Sequence, residues 1–122
     1  MPTLPPRLTR RAEFVRAAQR AKKAARPGLV LQALPQPGAK LRVGFTATKK
    51  LGGAVVRNRC KRRLREAIRL TVGEHPISGY DLVLIAREAT ATRDWALLLG
   101  DLRGALKQAG VLNPPPVASP EP

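Results

Sequence analysis

Residues 81–87, Asp-Leu-Val-Leu-Ile-Ala-Arg, constrain the fold more than any other segment of this chain. Five apolar side chains stand in a row between two charged ones, a run of strand length and too short for an independent helix. Side chains alternate across a strand, so one that is apolar at every position has to be covered on both faces. The run therefore predicts a central strand with helices packed against it. Leu29 to Leu34 is a second short apolar run, bounded by Pro27-Gly28 and Pro35-Gln36-Pro37-Gly38, and reads as a strand followed by a turn. In the next segment Leu41, Val43, Phe45 and Ala47 alternate with Arg42, Gly44, Thr46 and Thr48, the period of a strand with one buried face. The short separation predicts that these two strands form a hairpin.

Helical patterns flank the strands. After a Pro-rich start, Thr9 is a candidate N-cap for an Ala/Arg/Lys-rich helix running to Arg26, with Phe14, Ala18, Ala21 and Ala25 on one stripe and Pro27-Gly28 as its stop. Gly52-Gly53 opens a helix over Ala54 to Thr71, stopped by Gly73. Its inner stripe is Val56, Cys60, Leu64, Ala67, Ile68 and Thr71, while Arg57, Lys61, Arg65 and Arg69, four residues apart, line another side. Trp95, Leu98, Leu99, Leu102, Leu106 and Ala109 mark a last amphipathic helix ending at Gly110. The order α, β, β, α, β, α is an α/β arrangement, an α+β sandwich in which helices pack on a small mixed β-sheet. With 122 residues, of which 43% are hydrophobic, the chain has material for one core. We expect a single domain over residues 8–110, a flexible segment over 1–7 and a disordered Pro-rich tail over 111–122.

Charge narrows the function. The net charge is +15, and it is unevenly placed: residues 1–26 carry eight basic groups and one acid, 27–48 two and none, and 49–69 nine and one. The first 69 residues thus net +17 and the remaining 53 net −2. Solubility requires no such asymmetry, whereas a face that meets a phosphate backbone does. Lys49, Lys50, Arg57, Arg59, Lys61, Arg62, Arg63, Arg65 and Arg69 make up the densest stretch, and the planar guanidinium grips phosphate bidentately. Aromatics are few (Phe14, Phe45, Tyr80 and Trp95), so shape and phosphate contacts outweigh base stacking. Phe45 and Trp95 lie on apolar stripes, whereas Phe14, at the edge of a basic helix, is balanced between core and stacking.

Catalytic groups are sparse. Cys60 is the single cysteine, which excludes an internal disulfide and a multi-cysteine zinc site and fits a reducing compartment, the cytoplasm first. Its place on the inner stripe makes it a small core residue. His75 is a lone loop histidine beside Pro76. The acids form no paired spacing, Ser78 and Ser119 stand outside any nucleophile elbow, and Gly52-Gly53 lacks the ending of a phosphate loop. No apolar run reaches the roughly 20 residues that span a bilayer, and the N-terminus shows no signal-peptide stretch. The chain by itself reads as noncatalytic. The residues leave a ribosomal or architectural nucleic-acid-binding protein open as an alternative, while a stand-alone nuclease lacks the acid/base or metal-ligand groups it needs.

Residues 48–67, Thr-Lys-Lys-Leu-Gly-Gly-Ala-Val-Val-Arg-Asn-Arg-Cys-Lys-Arg-Arg-Leu-Arg-Glu-Ala, closely resemble the signature of the bacterial ribonuclease P protein component. Arg57-Asn58-Arg59, Lys61-Arg62 and Arg65-Glu66 stand at that family's spacing, and Leu41-Arg42-Val43-Gly44 and the 81–87 run resemble its strands. The resemblance implies a left-handed βαβ crossover around the cationic helix, against the general right-handed preference. It implies the protein subunit of a ribonucleoprotein endoribonuclease that matures the 5′ end of tRNA, with the catalytic RNA bound by Lys49, Lys50, Arg57, Asn58, Arg59, Lys61, Arg62, Arg65 and Arg69. The RNA would perform the hydrolysis, with Mg²⁺ as cofactor held mainly by RNA and no metal site on the protein. The 5′ leader of precursor tRNA would lie in a cleft at Phe14, Ala18, Val30, Gln32, Thr46 and Thr48. No DNA or membrane partner is implied. Other members often carry aromatics where this chain has Ala18, Leu29 and Gln32, which leaves Phe14 as the aromatic platform and makes leader binding more electrostatic.

Overall fold

The computed structural model describes residues 3–112. Three helices, α1 (Arg11–Arg20), α2 (Ala54–Glu74) and α3 (Trp95–Gln108), pack on a four-stranded sheet made of β1 (Lys22–Arg26), β2 (Leu29–Lys40), β3 (Arg42–Thr46) and β4 (Ser78–Ala86). The strand order is β1-β2-β4-β3. The all-apolar run is β4, and it sits inside the sheet with Leu82, Leu84 and Val83 buried from opposite faces. It pairs antiparallel with β2 and parallel with β3, so β3-α2-β4 is the crossover unit.

Two expectations fail here. The hairpin of β2 and β3 does not form, because β4, apolar on both sides, takes the interior place between them, where both of its faces can be covered. Nor does the first helix reach Arg26. It starts after Arg10 rather than Thr9 and ends at Arg20, Ala21 turns to extended backbone (φ −73°, ψ 155°), and Lys22–Arg26 becomes an edge strand. Its partner is β2, from Lys22 opposite Ala33 to Arg26 opposite Leu29, around the two residues Pro27-Gly28. Helix propensity among Ala, Lys and Arg amounts to tenths of a kcal/mol per residue, and the hairpin ladder to β2, itself anchored in the sheet, exceeds it.

One face of the sheet, through Leu31, Phe45 and Leu84, meets α2 and α3 at Cys60, Leu64, Ile68, Leu98, Leu102 and Leu106, all buried. Each fully buried leucine contributes about 1.5–3 kcal/mol of transfer free energy, so this face supplies most of the stability. α1 covers part of the other face, where Ala17 packs with Leu8 and Val83 and with half-buried Phe14, Ala21 and Ile85. Val56, expected on the inner stripe of α2, is 37% exposed: the first turn of the helix overhangs the core, and burial begins at Cys60. α2 also runs past Gly73 to Glu74, and the His75 amide donates to Thr71 O at 2.8 Å.

The 1–7 segment, expected to be flexible, lends its end to the sheet. Val43 N donates to Pro6 O at 2.9 Å and Leu8 N to Val43 O at 3.0 Å, which covers the outer edge of β3. At the other end, Val111 and Leu112, assigned above to the tail, pack against the core, with Val111 N bonded to Leu106 O at 2.8 Å. The tail from residue 113 onward lies outside the described residues.

Candidate nucleic-acid interface

Strand alternation sorts the candidate cleft residues. On β2, Leu29, Leu31 and Ala33 face the large core, so Val30 and Gln32 face the other way, toward α1. The register then aligns Lys23, Gln32, Val83 and Gly44 in one row across the sheet, and Ala25, Val30, Ile85 and Thr46 in the next. Leu29 is wholly buried on the opposite face and forms no part of this surface.

α1 crosses the sheet from the β3 edge, where Leu8 is bonded, to the β1 edge, where Ala21 leads into the strand. Beside it runs a groove of about 270 Å³ lined by Arg11, Phe14, Val15, Ala18, Gln32, Thr46, Val83 and Ile85. It brings together Phe14, Ala18, Gln32 and Thr46 of the expected cleft. Val30 lies beside it in the register, and Thr48 is exposed two residues beyond β3. Arg11, Val15, Val83 and Ile85 were not singled out from the sequence. Their signals were there: Arg11 and Val15 belong to the helical stripe of Phe14 and Ala18, and Val83 and Ile85 are the alternate positions of the doubly covered strand.

Phe14 has a specific seat. A Cβ added at Gly44 would lie 2.6 Å from Phe14 Cε1 and 2.7 Å from Cζ, so the ring rests directly on the bare backbone of β3. The ring is half-buried, held on one side and open to the groove on the other. A second cavity, of about 380 Å³, adjoins the first through Arg11, Phe14 and Thr46 and reaches Phe45, Ala47 and Lys61. Lys61 belongs to the cationic side of α2, so groove and cationic helix are continuous.

On that helix Arg57, Lys61 and Arg65 are half-buried at four-residue intervals, with Asn58, Arg59 and Arg62 exposed beside them. Lys49 and Lys50 are exposed on a 3₁₀ turn just before it. The cations are not equivalent. Arg69 is committed to Glu66, with Nε 2.9 Å from Oε1 and Nη2 2.5 Å from Oε2, which also holds the Glu66 carboxyl below its ordinary value. Arg59 Nε donates to Ala91 O at 2.8 Å. Arg63, outside the expected set, donates to Thr90 O and Arg93 O and lies 5.6 Å from the Trp95 ring centroid. These two arginines fasten α2 to the segment before α3, so part of the positive charge on this helix is structural. Cys60, between them, is 1% exposed, and burial pushes its thiol pKa up, away from the reactive thiolate.

Several acids are occupied too. Arg42 joins α1 to the sheet: Nη1 is 2.6 Å from Glu13 Oε2, while Nε and Nη2 hold Asp81 at 3.0 and 2.8 Å. Glu13 Oε1 accepts from the amides of Thr9 and Arg10 at 3.1 and 3.0 Å, which, with Arg42, holds its carboxyl below the usual range. Arg93 pairs with Asp101, and Asp94 accepts from Leu97 N at the start of α3. Among the described residues no three His, Cys, Asp or Glu are grouped to hold a metal ion. No helix among the described residues is long and apolar enough to cross a membrane.

The sequence profile of the family described as Ribonuclease P matches residues 5–110. The ribonuclease P protein component of Gluconacetobacter diazotrophicus is 56% identical over 106 residues, covering 86% of this chain and 91% of that one. Its counterpart in Paramagnetospirillum magneticum is 46% identical, covering 94% and 95%. Among solved structures, the ribonuclease P protein of Staphylococcus aureus superimposes with a TM-score of 0.73 at 30% identity, covering 88% of this chain and 97% of that one. That of Thermotoga maritima gives 0.72 at 28% identity, covering 84% and 96%. With the same fold along nearly the whole length, and the cationic helix inside the matched region, this chain belongs to the bacterial ribonuclease P protein family.

Proposed function

We propose that this chain works as the protein subunit of ribonuclease P in the cytoplasm, holding the catalytic RNA on the α2 face and the 5′ leader of precursor tRNA in the α1 groove. One observation carries the reading: the groove beside Phe14 opens at Lys61 onto the cationic side of α2. A single strand in the groove and a structured RNA on the helix can thus meet on one surface. Lys49, Lys50, Arg57, Asn58, Lys61, Arg62 and Arg65 contribute charge and hydrogen bonds to phosphates, and Arg59, its Nε held by Ala91 O, adds its remaining guanidinium N–H groups. Arg69, already paired with Glu66, adds less. Phe14 offers a ring face to one leader base, and Gln32 and Thr46 offer polar groups on the floor.

Hydrolysis belongs to the RNA in this reading. Mg²⁺, when bound, is held mainly by RNA, where it would stabilise the charge that develops at the scissile phosphate. The protein's part is to bind and orient. Reconstitution tests it: precursor tRNA should lose its leader with Mg²⁺ only when the RNA subunit is added to the protein. Leader removal by protein freed of RNA through nuclease treatment would overturn the proposal.

A further inference from the structure

We infer that Lys23 is the distal contact of the leader path, taking a backbone phosphate where the single strand leaves the sheet over the β1 edge. The inference deepens the leader reading above and rests on it. β1 carries three cations, and strand alternation divides them. Lys22 pairs with Ala33 and lines a small cavity with Tyr80 and Ala109 on the α3 side. Arg26 packs over Gly104 of α3, its guanidinium where a Cβ there would stand. Lys23 points the other way. It lies opposite Gln32, on the groove floor, in the row that continues through Val83 to Gly44 beneath Phe14.

That row gives the path a direction and a length. α1 packs chiefly on β2 and β4, so the strand it guides crosses β3, β4, β2 and β1 in turn, roughly 14 Å at the usual inter-strand spacing of about 4.8 Å. Arg11 and Lys61 stand at the β3 end. Phe14 is the one aromatic lining the groove, so stacking is confined to that end, and the remainder of the floor, Gln32, Thr46, Val83 and Ile85, is aliphatic or polar and carries no charge. A polyanion crossing such a floor is held at its far end by charge. Lys23 is exposed there, with no carboxylate partner among the described residues.

The test uses the reconstituted holoenzyme and precursor tRNAs whose leaders lengthen one nucleotide at a time. Wild-type affinity should rise with leader length and level off once the strand has crossed the sheet. Lys23→Ala should remove only the last part of that rise, lowering long-leader affinity about threefold and the slope of log affinity against log salt by about 0.7. Short-leader and mature tRNA should bind as before, Lys23→Arg should restore the loss, and the melting temperature should not move. An equal loss for mature tRNA would overturn the inference by placing Lys23 on the tRNA body. A full leader dependence in Lys23→Ala that Phe14→Ala abolishes would overturn the path alone, whereas a full dependence in both variants would bring down the groove reading itself.

Discussion

At the scale of single residues, the structure turns two side chains into sharp tests. Cys60 is 1% exposed between Val56 and Leu64, one turn away on either side. Cys60→Ser buries a hydroxyl among apolar atoms and should lower stability by about 1–3 kcal/mol, whereas Cys60→Val keeps the apolar contact and should cost less than about 1.5 kcal/mol. Thermal melts of the two variants check this. A serine variant as stable as the wild type would mean that the inner face of α2 is wrongly assigned. Gly44 matters for the room it leaves. Gly44→Ala would push a methyl to within 2.7 Å of the Phe14 ring, which must then leave its seat. The expected result is a loss of preference for leader-bearing over mature tRNA, although Phe14 itself is untouched. Competition binding with the two tRNAs measures it.

At the scale of elements, α1 is attached to the sheet by a polar clamp as well as by Ala17. Glu13 serves two masters, the amides that open α1 and the guanidinium of Arg42. Its folded-state pKa is lowered from the ordinary 4.5. A depressed carboxyl contributes stability that is present above the ordinary value and lost as pH falls through the folded one. Acidification below about pH 4.5 should therefore loosen α1 from β3 and β4, and Glu13→Gln should flatten that part of the stability profile. Melts between pH 3 and 6 would show it; parallel profiles for the two proteins would contradict the clamp. Arg42 also explains an apparent excess. One of the cations counted toward the basic surface is spent on two acids, so it is a joint of the fold rather than a ligand for RNA.

At the scale of the whole molecule, charge is organised by the sheet. α2 presents one cationic side, and the groove beside α1 is contiguous with it. Alanine at Arg57, Lys61, Arg62 or Arg65 should weaken binding of structured RNA and reduce the salt slope by about 0.7–0.9 for each phosphate contact removed. Arg69→Ala should change the slope less, because Glu66 already neutralises that guanidinium. Titrations of the RNA subunit at several salt concentrations separate these cases. Equal slopes for Arg62→Ala and wild type would remove Arg62 from the interface.

Much of this was legible in the sequence for reasons that are local. Alternation at Leu41, Val43 and Phe45 marks a strand whose apolar side chains share one face, though not that Phe14 covers the other at Gly44; the unbroken run from Leu82 to Ala86 marks a two-faced one, and the stripe from Cys60 to Thr71 marks the buried side of a helix. The dense cations of residues 49–69 and their spacing already pointed to a phosphate-binding helix. What the tertiary structure alone decided is partnership. Periodicity cannot tell that β4 would enter between β2 and β3, which follows from pairing with residues far along the chain, nor that Lys22–Arg26 would leave a helical pattern to close a hairpin with β2 around Pro27-Gly28, which follows from β2 being held in the sheet. It cannot tell which arginines are engaged, since Arg59, Arg63 and Arg42 find their acceptors 32, 27 to 30, and 29 to 39 residues away. Composition set how much charge this chain carries; the packing of helices on the sheet decided which of it stays free to meet a polyanion.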